Sequence, residues 1–256
     1  MAVVVGGGSG IGRAVALALA RQGANIVVAD FDGPRMDRAV DELLRLGTSE
    51  AAIALSTDVR NDGSVRSLAR DAVRSMGRVD IVINAAGVLL QGKLDKISAA
   101  DWTWMLETNL LGAVRTSVAF LPQMMQRGSG HIVNVVSYGG LVPSDPMTVP
   151  YDTGHAALAV FTEGLARQLQ GSGVRVSIFT PGSKGPRVGQ NTRSRGVGRL
   201  FSGPDHGSES SLHLEQLAST MIEGLRHSRF LILGDPADAP ALKGRWDHVD
   251  ANPVSR

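Results

Sequence analysis

Tyr151 and His155 stand four residues apart near the start of a helix-forming segment, so one turn places both side chains on a shared face. A tyrosine hydroxyl ordinarily ionises near pH 10 and is a weak base at neutral pH. A cation beside it favours the tyrosinate, so a protonated histidine there would make the phenol a proton acceptor. Histidine is cationic only below about pH 6.5, which makes such a partner conditional on pH. Ser137 closes the apolar run Ile132–Val136. A phenol and an imidazole on one helix face can move a proton to or from an alcohol or carbonyl oxygen.

A second group points to a nucleotide. Gly6-Gly7-Gly8-Ser9-Gly10-Ile11-Gly12 follows the apolar run Val3–Val5 at once and opens a helix-period segment. Glycines there let the backbone turn tightly and approach a pyrophosphate, whose charge then rests at a helix N-terminus. Asp30 ends the second apolar run, where a carboxylate accepts hydrogen bonds from adenosine ribose hydroxyls and repels a 2′-phosphate. Ser9 and Phe31 bring no positive charge to that position, so the expected cofactor is NAD, with NADP the lesser alternative. The competing reading has Asp30 capping the next helix while Arg35 or Arg13 serves a phosphate.

Elements must exist to hold these residues. Short apolar runs at Val3–Val5, Asn25–Ala29, Ala51–Leu55, Ile81–Ile83, Ile132–Val136, Val174–Phe179 and Phe230–Leu233 alternate with helix-period segments. That alternation predicts a single-domain α/β protein over 1–256: a doubly wound, Rossmann-like parallel sheet with helices on both faces. Two helices are expected to be long, from about Ala99 to Gln126 with Ser98 as N-cap, and from about Pro150 to Gln170. Ser183–Ser211, rich in Gly, Ser and Arg, is expected as a mobile substrate flap, and 235–256 as a C-terminal tail on the surface. Within the flap, the cluster of Arg187, Arg193, Arg195 and Arg199 reads as a solvated loop, or as a contact for an anionic substrate or the cofactor phosphates.

Composition narrows the function classes. A formal charge of +2 without aromatic-interleaved basic patches argues against nucleic acid. The chain has no Cys. No segment approaches the roughly 20 apolar residues of a membrane span, so a cytoplasmic location is expected. His131, His206, His213, His227 and His248 show no metal-ligand spacing, and no metal is expected. His131 reads as structural, the Trp102/Trp104 pair as packing, and Asp152 as a first-turn residue favouring the helix dipole.

With these residues in place, the chain resembles the short-chain dehydrogenase/reductase family along nearly its whole length. Gly6-x-x-x-Gly10-x-Gly12 matches the family's cofactor motif, with Val5 where Thr often precedes it. Asp58-Val59 matches the pair that contacts adenine, and Asn84-Ala85-Ala86-Gly87 matches the family's Asn-Asn-Ala-Gly with Ala85 for one Asn. The resemblance implies that Asn109 anchors a proton-relay water, that Ser137 and Tyr151 are catalytic, and that Pro181-Gly182 flanks the nicotinamide. It implies a secondary alcohol dehydrogenase or ketone reductase, commonly tetrameric through the two long helices. His155 replaces the Lys that follows the catalytic Tyr, so its charge and reach toward the cofactor ribose are altered. Ser183-Lys184-Gly185-Pro186 also lacks the Thr that grips the nicotinamide carboxamide. Non-redox acid/base chemistry, such as dehydration or isomerisation, and a nucleotide-binding pseudoenzyme stay open beside the oxidoreductase. Substrate choice would fall to the loop after Tyr138 and to the flap.

Overall fold

Seven apolar strands become seven parallel strands, since a strand buried on both faces needs no polar alternation. The computed structural model describes residues 1–48, 51–142, 145–182, 191–197 and 208–242. The strands β1 (Ala2–Val5), β2 (Ile26–Asp30), β3 (Ala52–Ser56), β4 (Ile81–Asn84), β6 (Gly130–Val135), β7 (Val174–Thr180) and β9 (Leu231–Leu233) line up in the order β3-β2-β1-β4-β6-β7-β9. Every pairing in this sheet is parallel. Two further strands, β5 (Leu89–Gly92) and β8 (Thr192–Arg195), form a separate two-stranded ribbon.

Side chains on one face of the sheet, among them Val4, Val28, Ile83 and Phe179, pack on α1 (Gly10–Ala20), α2 (Gly33–Arg45) and α7 (Ser208–Arg226). Those on the other face, among them Val3, Val5, Val27 and Ile132, pack on α3 (Asp62–Met76), α5 (Gly112–Arg127) and α6 (Val149–Gln168). Strand order reverses between β1 and β4, and the crevice beyond the carboxyl ends of such neighbouring strands is where an open α/β sheet binds ligands.

The two long helices differ in character. α6 runs unbroken over 20 residues. The other is interrupted: α4 (Ala99–Leu106) passes through a π turn at Glu107–Leu111 into α5. Ser98 caps α4 in a reciprocal capping box with Asp101. Such π turns recur at functional sites because they turn a side chain out of register, and this one carries the buried Asn109. His131 is structural: Ser177 donates to the Arg229 carbonyl at 2.6 Å, so His131 Nε2–H donates to Ser177 Oγ at 2.7 Å. Two expectations are corrected. Residues 192–195 and 208–211 of the supposed flap lie in β8 and α7, and 236–242 of the tail form a short 3-10 turn followed by α8 (Ala239–Leu242). Residues 183–190, 198–207 and 243–256 lie outside the described residues, and with them Arg187, Arg199 and Ser183-Lys184-Gly185-Pro186.

Candidate active site

The glycine turn joins β1 to α1 at the reversal of strand order. Gly6 has φ +79, and a side chain there would sit 2.5 Å from the Ala86 nitrogen. A side chain at Gly12 would strike the Gly6 carbonyl. These two glycines let β1, α1 and the Ala85-Ala86 backbone close up. Gly10, at φ +52, faces open space. The Ser9 hydroxyl makes no capping bond and the first turn of α1 has no acidic residue. Among the described residues no side chain caps this helix, whose first-turn backbone N–H groups lie beside a turn open to a ligand, and this fits a phosphate.

Asp30 is buried and takes three backbone donors: Gly8 N–H on Oδ2 at 3.1 Å, and Phe31 and Asp32 N–H on Oδ1 at 2.8 and 3.3 Å. Oδ2 retains an acceptor position, as a ribose hydroxyl requires. Asp32, and not Asp30, caps α2, accepting from Arg35 N–H at 3.1 Å. Arg35 pairs with Asp32 at 3.0 Å, and Arg13 grips Glu42 with two bonds of 2.7 Å. Both arginines proposed for a phosphate therefore already hold carboxylates. Phe31 is 64% exposed at the mouth of this position.

The remaining motif residues split into surface and interior. Asp58 is held by Arg60 through both oxygens, at 2.9 and 2.7 Å, and that guanidinium lowers its pKa against the opposing effect of burial. Val59 is buried and packs where a side chain at Gly112 would intrude. Asn84 turns inward. It donates to Asn134 Oδ1 at 2.8 Å and accepts from Thr116 Oγ1 at 2.5 Å, and Asn134 donates on to Thr162 at 2.9 Å. Its side chain ties β4, β6, α5 and α6 together, so at this motif position the side chain serves the scaffold while Ala85 and Ala86 meet the glycine turn. Gly87 leads to Val88, whose N–H and C=O are both taken by the Asn109 amide at 2.8 Å.

Ser137, Tyr151 and His155 come together at the carboxyl end of β6. The cause is local: side chains at Gly139 and Gly140 would collide with the Asp152 carboxylate and with His155, so only glycines let this loop press onto α6. That contact brings the Ser137 N–H to His155 Nδ1 at 3.2 Å. The Tyr151 and His155 rings meet edge to face, centroids 4.4 Å apart at 67°. Burial holds the Tyr151 hydroxyl well above its ordinary pKa, opposed by a hydrogen bond from Ser137. His155 is 6% exposed, and burial pulls its pKa down to about 4. A ring nitrogen that accepts a backbone N–H carries no proton, so neutral His155 is the Nε2–H tautomer. Protonating Nδ1 would set two donors against each other. His155 Nε2 is buried without a partner among the described residues. Asp152 accepts from Thr148 Oγ1 at 2.9 Å and packs on Gly139, not on His155; burial raises its pKa.

Pro181 and Gly182 follow β7 on the same edge. Gly182 has φ +97, and a side chain there would meet the Asp238 carboxylate at 2.8 Å, so the chain after β9 packs against this turn. Sequence reasoning missed the β5–β8 ribbon and its clamp. Arg195 holds the buried Asp101 at 2.6 and 3.0 Å, and Arg193 lies over the Trp104 ring, 3.9 Å from its centre. The solvated-loop reading of Arg193 and Arg195 is thus corrected: both sit on a strand and are bound to α4. Thr192, in the same strand, pairs with Leu89. Among the described residues, no helix is long and apolar enough to cross a membrane.

The sequence matches the short chain dehydrogenase family over residues 1–195. It is 34% identical over 182 residues to an uncharacterized oxidoreductase of Staphylococcus aureus, covering 71% of this chain and 77% of that protein. A short chain dehydrogenase/reductase from Burkholderia phymatum, solved in complex with NAD, superposes with TM-score 0.79 at 30% identity, covering 100% of this chain and 97% of that one. A metagenomic short-chain oxidoreductase in complex with NADP superposes with TM-score 0.67 at 30% identity, covering 71% and 81%. The family match over residues 1–195, together with the 34% identity across 71% of the chain, places this chain in the short-chain dehydrogenase/reductase family of oxidoreductases.

Proposed function

We propose that this protein interconverts a secondary alcohol and its ketone with NAD, and that its site is poised to donate a proton. The observation that carries this reading is the Ser137–Tyr151–His155 contact, with the imidazole held neutral by burial and its tautomer fixed by the Ser137 N–H. The bound nicotinamide would supply or accept the hydride. Gly6, Gly10, Gly12 and the first turn of α1 would hold the pyrophosphate, and Asp30 the adenosine ribose. Asp58, Val59, Ala86, Pro181 and Gly182 would flank the rest. His155 Nε2–H, buried and without a partner among the described residues, would be the donor nearest the nicotinamide ribose once the cofactor is seated.

Ser137 would hold the substrate oxygen, and Tyr151 would give it the proton when a ketone is reduced. With no cation beside it among the described residues and a pKa raised by burial, Tyr151 is protonated at neutral pH. Reduction is then ready without a prior ionisation, while oxidation must wait for the rare tyrosinate. Asn109 fixes Val88 with one amide hydrogen and one carbonyl lone pair, which leaves one of each for a relay water.

The test is turnover on a mixed panel of ketones with NADH, and of secondary alcohols with NAD, from pH 6 to 10. Ketone-dependent NADH loss at pH 6–7 is the expected result. Product formation without any change in NADH would replace this reading with non-redox acid/base chemistry. Tight NADH binding with no turnover of any panel member would weigh for a binding protein.

Asp30 beside arginines that are already paired supports NAD over NADP. Asp30→Ser is expected to shift the ratio of NAD to NADP affinity by about tenfold or more toward NADP, the effect of losing one charge repulsion and one charge-assisted bond. An unchanged ratio in fluorescence titrations of NADH and NADPH would remove Asp30 from cofactor choice. Val118 and Met125 on α5, with Val160 on α6, are at least half exposed, at 58%, 50% and 60%. Val118 and Met125 lie seven residues apart, two turns along one face. These exposed side chains support pairing of two copies through the long helices. The double variant Val118→Glu, Val160→Glu should sediment as a smaller species than the wild type, and identical sedimentation would refute the pairing.

A further inference from the structure

One helix grips the β5–β8 ribbon at both of its ends. Beyond its C-terminal end, in the π turn, Asn109 takes the N–H and C=O of Val88, the residue that enters β5. At its N-terminal end, Asp101 takes Arg195 of β8 through both carboxylate oxygens, with Arg193 at 3.6 Å. The joints between are close. Leu89 N–H donates to the Asn191 carbonyl at 2.9 Å and Lys93 N–H to the Arg195 carbonyl at 3.0 Å. Gly92 has φ +142, and a side chain there would run into that same Arg195 carbonyl. Gly92 N–H also reaches the Met147 carbonyl at 2.8 Å, four residues before Tyr151.

The Asp101 side chain is 5% exposed while that of Arg195 is 41% exposed. A carboxylate so buried persists as an anion only when its acceptor sites are filled. Ser98 fills some of them, through its N–H at 3.2 Å and its hydroxyl at 2.8 Å, and Arg195 fills the rest. The capping box is complete with Ser98 alone. The bidentate arginine adds nothing to the cap. It attaches a strand that lies far along the chain.

We propose that Asp101 is a positioning residue: through Arg195 it sets the place of the β5–β8 ribbon, and through the ribbon it holds the Val88–Asn109 contact. The catalytic meaning of that contact rests on the reading under Proposed function, but the coupling itself does not. Asp101 is anionic through the whole physiological range, because Arg195 holds its pKa well below the ordinary carboxylate value against the cost of burial.

The test is amide hydrogen exchange of the full chain without cofactor, so it needs no turnover and stands or falls apart from the proposed reaction. Arg195→Met breaks the clamp without touching the capping box. It is expected to speed exchange of the Val88 amide about tenfold or more, together with the β8 amides. Asp101→Asn should do the same, and Asp101→Glu, which keeps a carboxylate, should recover protection. Ser98→Ala, which loses the cap and one hydrogen bond to Asp101 but keeps both Arg195 bonds, should leave Val88 within about twofold of wild type. Opening of β8 with Val88 unchanged would overturn the proposal. So would Ser98→Ala matching Asp101→Asn, which would make the cap and not the clamp the cause. If Asp101→Asn does not fold, Arg195→Met against Ser98→Ala decides the question.

Discussion

Tyr151→Phe is expected to lower turnover by about 10³-fold, within the roughly 10²–10⁴-fold span of general acid and base catalysis. The substitution removes one hydroxyl and little else. The ring keeps its edge-to-face contact with His155 and its place on α6. The lost bond is the one to Ser137, and the lost hydroxyl is one that burial already penalises when charged. Thermal stability should therefore hold, and NADH affinity should change little, since the glycine turn and Asp30 lie on other strands. Steady-state kinetics with a parallel thermal melt separates the two effects. Full turnover in this variant would take Tyr151 out of the mechanism.

His155→Lys should act in the opposite direction on alcohol oxidation. In the wild type the folded histidine has a pKa of about 4, so from pH 5 upward it is neutral and gives no charge to Tyr151. Oxidation then tracks the tyrosinate fraction. It should climb about tenfold per pH unit and reach no plateau below pH 10, while ketone reduction stays flat over the same range. A lysine, with an unperturbed pKa near 10.4, brings a cation to the phenol and lowers its pKa. At pH 8 this should raise oxidation about 10- to 100-fold and bring a plateau into the measurable range. The same change should cost stability. The Ser137 N–H loses its acceptor, and leaving a buried donor unsatisfied costs about 1–3 kcal/mol. Rate profiles of both proteins on one alcohol test the argument, and superimposable profiles would refute it.

Much of the fold was legible in the chain, for reasons that can be stated. Each of the seven sheet strands is an apolar run that needs no alternation, because helices cover both faces. Ser98 before an apolar helix marked the start of α4. The ribbon was not legible. Leu89–Gly92 is short and ends in glycine, and Thr192–Arg195 is polar at every position. Each strand exists only because the other does, and the anchor of β8 is Asp101, 94 residues away. A local pattern cannot report such a pair, so two arginines looked like solvent contacts. Asn84 shows a different limit: the motif fixed its position at a strand end, while the direction of its side chain was decided by Asn134 and Thr116 on neighbouring elements. The state of His155 was half legible. Its identity and distance from Tyr151 are in the sequence. That it accepts the Ser137 N–H depends on how closely the intervening loop approaches α6. The signal for that approach was Gly139-Gly140, two adjacent glycines in the loop between β6 and the helix that carries the site.

The direction in which this site runs turns on the protonation state of His155, and that state can be observed. ¹⁵N-resolved NMR of the imidazole side chains, with His155 assigned by a His155→Gln comparison, reports tautomer and titration together. The account predicts a neutral Nε2–H ring for His155 from pH 5.5 to 9, both alone and with NADH bound, with any titration displaced toward pH 4. A His155 signal that titrates near 6.5, or that carries its proton on Nδ1, would contradict it. Tyr151 would then have a conditional cation beside it, and the site would be a pH-gated alcohol dehydrogenase in place of a standing proton donor.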